Sequence, residues 1–144
     1  MAEQVIDASV AIKWVVKGEA FRAQARQLLR DARARQITLL GPPLLEYEVE
    51  SNLQRRLYQK RAPVAAVDAS LSAFYAVGVQ IATHPDLVRH ARDLARRFRQ
   101  GRIYDALYAA LADLRGCELW SADKAFYDDV RTGLSFVKYL PNYH

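Results

Sequence analysis

Short β-branched or apolar runs alternate with longer stretches whose apolar residues recur at helical spacing, and this alternation continues from one end of the chain to the other. Gln4–Asp7 (QVID) reads as a buried strand, and Ala8–Val16 as a helix with Asp7 or Ser9 as its cap. Phe21, Ala25, Leu28, Leu29 and Ala32 form the next helical stripe, with Arg22, Arg26, Arg30 and Arg33 on another face. Ile37–Leu40 is a second strand, closed by Gly41-Pro42-Pro43, and Leu45, Val49, Leu53 and Leu57 trace a further helix. Pro63 opens a helix that runs through Phe74, and Gly78 introduces a strand at Val79–Ala82. After a turn at His84-Pro85, Leu87 to Phe98 is helical up to Gly101, and Asp105–Leu114 is helical again. Cys117–Trp120 is predicted as a strand, Asp123–Val130 as a short helix and Phe136–Leu140 as a last strand. Strands that regularly alternate with helices imply a parallel α/β sheet covered on both faces. Ligands of such sheets bind beyond the carboxyl ends of the strands, which directs attention to the residues just after each one.

A chain of 144 residues has the size of one domain, so residues 1–144 are expected to share a single core. The lone cysteine, Cys117, excludes an intramolecular disulfide and a Cys-based zinc cluster, which fits a cytoplasmic location. The opening MAEQVIDASV carries Glu3 and Asp7 where an export signal needs a basic region and then an apolar run. Lys13 interrupts the longest apolar stretch, Val10–Val16, so no membrane span is expected. The net charge of +5 favours polyanionic partners such as nucleic acid or an acidic protein segment, although arginines that merely solubilise helix surfaces account for it equally well.

Acidic residues stand at the expected ligand edge. Asp7 ends the first strand and Asp123 lies two residues beyond Trp120. Asp105 begins a predicted helix in RIYDALYAALADL, and Glu48 lies in the helix after the second strand, in PPLLEYEVESNLQRRL. Taken singly, Asp7, Asp105 and Asp123 are ordinary helix-capping or first-turn residues worth about 1 kcal/mol each, and Glu48 an ordinary solvated glutamate. Together, four carboxylates from four elements on one edge would repel one another unless a divalent cation held them. An oxygen set without Cys or a paired His favours Mg²⁺ or Mn²⁺ over zinc. Asp128 and Asp129 lie close by in sequence but read as a charged surface turn.

VIDASVAIKW with Asp7 and Ser9, PPLLEYEVESNL with Glu48, IYDALYAALA with Asp105, and LWSADKAFY with Ser121 and Asp123 resemble, in order, the four acidic motifs of PIN domains, and of VapC toxins in particular. The resemblance covers residues 4 to 140 and implies a three-layer α/β/α fold around a central, mainly parallel sheet of about four or five strands. It also implies an endoribonuclease in which Asp7, Glu48, Asp105 and Asp123 bind Mg²⁺ or Mn²⁺, with Ser9 and Ser121 holding a carboxylate or water in position. The chemistry implied is hydrolysis by a metal-activated water that leaves 5′-phosphate and 3′-hydroxyl ends. Implied partners are RNA, a VapB-like antitoxin and a second copy of the chain.

RNA approaching an acidic site needs basic groups around it, and Arg22, Arg55, Arg99 and Arg102 are candidates, with Arg26, Arg30, Arg56 and Lys60 behind them. Trp14, Tyr104, Tyr108 and Trp120 fall at core-like spacings and are expected to pack rather than stack on bases. Leu44, Leu45, Leu53 and Leu57 are candidates for a dimer face. Two competing readings are a PIN-like module that binds RNA or protein without cleaving, and a phosphohydrolase working through an aspartyl-phosphate at Asp7. The second often needs another Asp two residues on, where this chain has Ser9.

Overall fold

The computed structural model describes residues 2–144. Strands β1 (Glu3–Ile6), β2 (Thr38–Gly41), β3 (Gln80–Ile81), β4 (Glu118–Ser121) and β5 (Val137–Tyr139) form one sheet in the order β3-β2-β1-β4-β5, with every pairing parallel. Seven helices flank it, giving the three-layer α/β/α architecture: α1 (Ala8–Val15), α2 (Arg22–Ala34), α3 (Leu44–Gln59), α4 (Val64–Val77), α5 (Leu87–Arg97), α6 (Tyr104–Arg115) and α7 (Lys124–Val130). No helix among the described residues is long and apolar enough to cross a membrane.

The core follows the apolar runs. Val5 and Ile6 of β1 and Leu119 of β4 are fully buried, as are Val10 and Ala11 of α1, Leu28 of α2 and Leu111 of α6. Helices α1, α3 and α4 pack together, and α5 packs on α6. Gly41 lets α3 approach the end of β2, because a Cβ there would meet the Cδ2 of Leu45 at 2.4 Å. Trp14 is anchored in the core by its indole N–H, which donates to the Ala25 carbonyl at 2.8 Å.

The connections define a switch point. From β1 the chain steps to β2 and then β3 on one side; it next crosses back over β1 to β4 and continues outward to β5. The crevice at the carboxyl ends of β1 and β4, where the order reverses, is where open α/β sheets bind ligands. Asp7 follows β1 directly, and its backbone N–H donates to the Trp120 carbonyl of β4 at 3.4 Å.

Every predicted strand differs in its bounds, the first two by a shift of one residue, to Glu3–Ile6 and Thr38–Gly41. The strand expected at Val79–Ala82 shrinks to Gln80–Ile81, an edge strand paired only with β2, with both residues exposed. The fourth begins at Glu118, because the Cys117 N–H is used by the Ala112 carbonyl to finish α6 beyond Gly116, which sits at a φ of +66°. Cys117 is therefore half-buried and precedes the strand that was expected to contain it. The last strand stops at Tyr139 and Leu140–Asn142 forms a 3₁₀ turn, since Pro141 has no N–H for a ladder.

Candidate active site

Asp7 caps α1: its Oδ1 accepts the Val10 N–H at 3.2 Å. The same oxygen accepts a hydrogen bond from the Ser9 hydroxyl at 2.5 Å, and the Ser9 oxygen in turn accepts the Ala122 N–H at 2.8 Å. Ser9 thereby ties the end of β1 to the loop after β4. That loop carries Asp123, which caps α7 by accepting the Phe126 N–H at 3.0 Å while its own N–H donates to the Ser121 hydroxyl oxygen at 3.0 Å. Ser121 is fully buried, and its hydroxyl, with those of Ser9 and the Val10 N–H, favours the ionised form of Asp7. Asp105 is the second residue of α6, and Tyr108, one turn on, donates its hydroxyl proton to Glu48 of α3 at 2.5 Å.

These side chains line one cleft of about 430 Å³, formed by Asp7, Ser9, Glu48, Asp105, Tyr108 and Asp123 together with Leu44, Tyr47, Ser51, Asn52, Arg55 and Tyr104. A larger groove of about 550 Å³ between α1, α3 and α4 is mainly apolar and contains no acid. The acidic cleft is where the chemistry can lie.

Its electrostatics are strained. Asp7 is 6% exposed, and burial pushes its carboxyl up to about 6 against the pull of its hydrogen bonds, with the Asp123 charge adding to the rise. Asp105 rises to about 7, first through burial and then through the charges of Asp123, Asp7 and Glu48. Burial, and then the bond to Glu48, hold the Tyr108 hydroxyl far above its ordinary range, so it stays a hydrogen-bond donor. The neighbouring carboxylates thus raise the cost of ionising Asp105, and Asp123 raises that of Asp7, an excess of negative charge that a divalent cation would relieve.

The oxygen donors of the cleft, from carboxylates, hydroxyls and the Asn52 amide, suit a hard cation. Among the described residues, however, no three acidic, His or Cys side chains stand close enough to form a ready-made cage. A hard cation held among these acids would need water to complete its shell.

The expected basic and apolar groups fare unevenly. Arg55 lines the cleft, and the Arg102 guanidinium lies 6.0 Å from the ring centre of Tyr104 at its rim. Arg22 does not reach it: its guanidinium donates to the Lys13 and Trp14 carbonyls at the end of α1. Arg99 is exposed just beyond α5 and is not among the cleft-lining residues. Arg56 faces Glu19 at 3.6 Å. Asp128 pairs with Lys124, and Asp129 accepts from Gln100, so neither joins the site. Tyr104, expected to pack, is 48% exposed, while Trp14 and Tyr108 are buried as expected and Trp120 is half-buried against Tyr143. Tyr47, which the sequence reading passed over, is 69% exposed on the same cleft. Of the apolar residues expected at a dimer face, Leu45 and Leu53 are buried in the core, whereas Leu44 and Leu57 are only half-buried.

The fold and this cleft define a parallel α/β protein with a carboxylate-lined site at its switch point. A family model for the PIN domain matches residues 5–129, and the chain belongs to that family, which supports a nuclease role. Among solved structures, PAE2754 from Pyrobaculum aerophilum is similar at 20% identity over 89% of this chain and 86% of that one, with a TM-score of 0.65. VapC20 of Mycobacterium tuberculosis, a toxin that cleaves the sarcin-ricin loop, is similar at 17% identity over 91% of this chain and 95% of that one, also with a TM-score of 0.65. At these identities the likeness is one of fold. No curated protein sequence matches the chain significantly.

Proposed function

We propose that the chain, folded as one domain over residues 1–144, is an endoribonuclease dependent on Mg²⁺ or Mn²⁺ and acts as the toxin of a VapBC-type pair. The observation that carries this reading is the meeting of Asp7, Glu48, Asp105 and Asp123 in one cleft where Asp105 feels the charge of the other three. In this reading the four acids are the metal-binding and catalytic set. A bound divalent cation supplies neutralisation of the cluster and polarisation of water and phosphate.

The chain's own groups do the positioning. Ser9 and Ser121 orient Asp7 and the Asp123 loop, Tyr108 fixes one oxygen of Glu48, and Arg55 offsets the repulsion that an RNA phosphate meets at the mouth of the cleft. A VapB-like antitoxin, a homodimeric state and a cytoplasmic setting complete the proposal.

The test is cleavage of a panel of structured RNAs by purified protein with Mn²⁺, Mg²⁺ or chelator, with the ends mapped, beside growth of cells expressing wild type or Asp7→Asn. Metal-dependent cuts lost in Asp7→Asn, together with growth arrest relieved by the neighbouring antitoxin, are the expected result. RNAs left intact, with metal binding and growth unaffected by Asp7→Asn, would end the proposal.

A further inference from the structure

The two most exposed aromatic residues of the cleft each directly precede one of its acids: Tyr47 precedes Glu48 on α3, and Tyr104 precedes Asp105 on α6. An aromatic ring left 69% or 48% exposed contributes little to folding, and among the described residues neither ring stacks on another aromatic. Each shares the cleft or its rim with a cation. Arg55 lies two turns beyond Tyr47 on the same row of α3, roughly 12 Å along its axis, and Arg102 lies against the Tyr104 ring.

Resting on the nuclease reading, we propose that Tyr47 and Tyr104 are base-stacking platforms beside Glu48 and Asp105, each taking one unpaired base of the bound strand. A base can lie on a tyrosine face only when it has left its own stack, and the ring then replaces the neighbouring base. Bases held on the two rings would leave the strand's phosphodiesters at the acidic cleft, with Arg55 and Arg102 available to flanking phosphates. The rings read stacking and not hydrogen-bonding edges, so they select for unpaired geometry over a particular sequence.

Binding is measured by fluorescence anisotropy in the Asp7→Asn background, using labelled eight-nucleotide single strands of RNA and of DNA and the matching RNA duplex. A 2-aminopurine base in the strand reports stacking directly through quenching. Tyr47→Ala and Tyr104→Ala are each expected to weaken single-strand binding at least about fivefold and to reduce the quenching, with the duplex changed less than about twofold. Tyr47→Phe and Tyr104→Phe, which keep the ring, are expected to stay within about twofold of the parent.

Alanine variants that bind the single strand like the parent overturn the proposal. So do equal losses on strand and duplex, phenylalanine variants as weak as alanine, or a parent that binds no strand. Tight binding of RNA alone would show that the 2′-hydroxyl adds to ring contact, whereas comparable DNA binding fits stacking by itself; either keeps the rings as the platform. Cleavage by wild type is scored separately. Ring-dependent binding without cleavage defeats the nuclease reading and leaves this one, and cleavage indifferent to the rings does the reverse.

Discussion

Asp7→Asn is expected to make the metal-free protein more stable at pH 8 while abolishing its activity. The buried carboxyl rises from 3.8 to about 6, mainly through burial. About two pKa units correspond to about 3 kcal/mol. An acid whose pKa is raised by folding holds more protons in the folded state between those values. Its stability contribution is therefore greatest in acid, is lost as pH rises through the folded value, and becomes a full penalty above about 6. Asparagine removes the charge but keeps an oxygen that can accept the Val10 N–H and the Ser9 hydroxyl, and Asn caps helices about as well as Asp.

Allowing for the new amide N–H groups, the gain at pH 8 is about 1 to 3 kcal/mol, roughly 5 °C in Tm for a chain of this length. At pH 4.5 most of the wild-type penalty is absent, about 2 kcal/mol of it, so the gap should nearly close. Saturating Mn²⁺ should also close it from the other side, since wild type gains about 2.7 kcal/mol at a hundredfold excess over Kd and the variant gains less. Thermal melts of both proteins at the two pH values, with chelator and with Mn²⁺, provide the assay. An Asp7→Asn protein that melts at or below wild type at pH 8, or a gap unchanged at pH 4.5, would refute the claim that buried charge at Asp7 opposes folding.

Tyr108→Phe leaves one oxygen of Glu48 without its donor, and Mn²⁺ affinity by calorimetry should fall about 10-fold to 100-fold, with a stability loss near 1 kcal/mol. Ser9→Ala removes a donor to Asp7 and the acceptor of the Ala122 N–H; it should cost about 1 to 2 kcal/mol in denaturant melts and move the Asp7 titration, followed by carboxyl NMR, to higher pH. Gly41→Ala forces a Cβ against Leu45 and should destabilise by about 1 to 3 kcal/mol, read as a lower urea midpoint with an unchanged m value.

The alternation of periods revealed the layers and the ligand edge because each element buries one face, and burial leaves its mark on local spacing. What spacing does not carry is depth along an axis. Tyr104 and Tyr108 share a helical stripe, yet Tyr108 is buried and Tyr104 is half-exposed. Side chains on a helix lean toward its N-terminus, so Tyr104, the first residue of α6, has no preceding turn to lie on and projects at the cleft rim. Tyr47 was visible only as a residue off the Leu45–Val49–Leu53 stripe; that it borders the acids depends on α3 meeting α6 across the cleft, a contact distant in sequence. Arg22 failed for the same reason. Its place in a basic row is local, but the carbonyls of α1 that it serves become neighbours only once α1 and α2 have packed. The strand expected at Val79–Ala82 is shorter because an edge position removes the second partner that a buried strand would have.

Capping and metal binding looked like rival explanations of the acids, but in the proposed site the two roles are compatible. Asp7 and Asp123 both cap helices, and each uses Oδ1 to do so. A carboxylate has a second oxygen, and a cap fixes its direction: the group is pinned to the helix end by a backbone N–H that cannot move without unwinding the turn. The parallel fold puts helix starts at the carboxyl edge of the sheet, so each cap also aims a carboxylate at the switch point. Helix N-termini soften the repulsion that this gathering creates, through the partial positive charge of their unpaired N–H groups. Asp105 gains less from this, since it lies in the first turn of α6 without a capping bond, and its carboxyl rises further than that of Asp7 although it is less buried. The acid least held by the fold is therefore the one with most to gain from a cation.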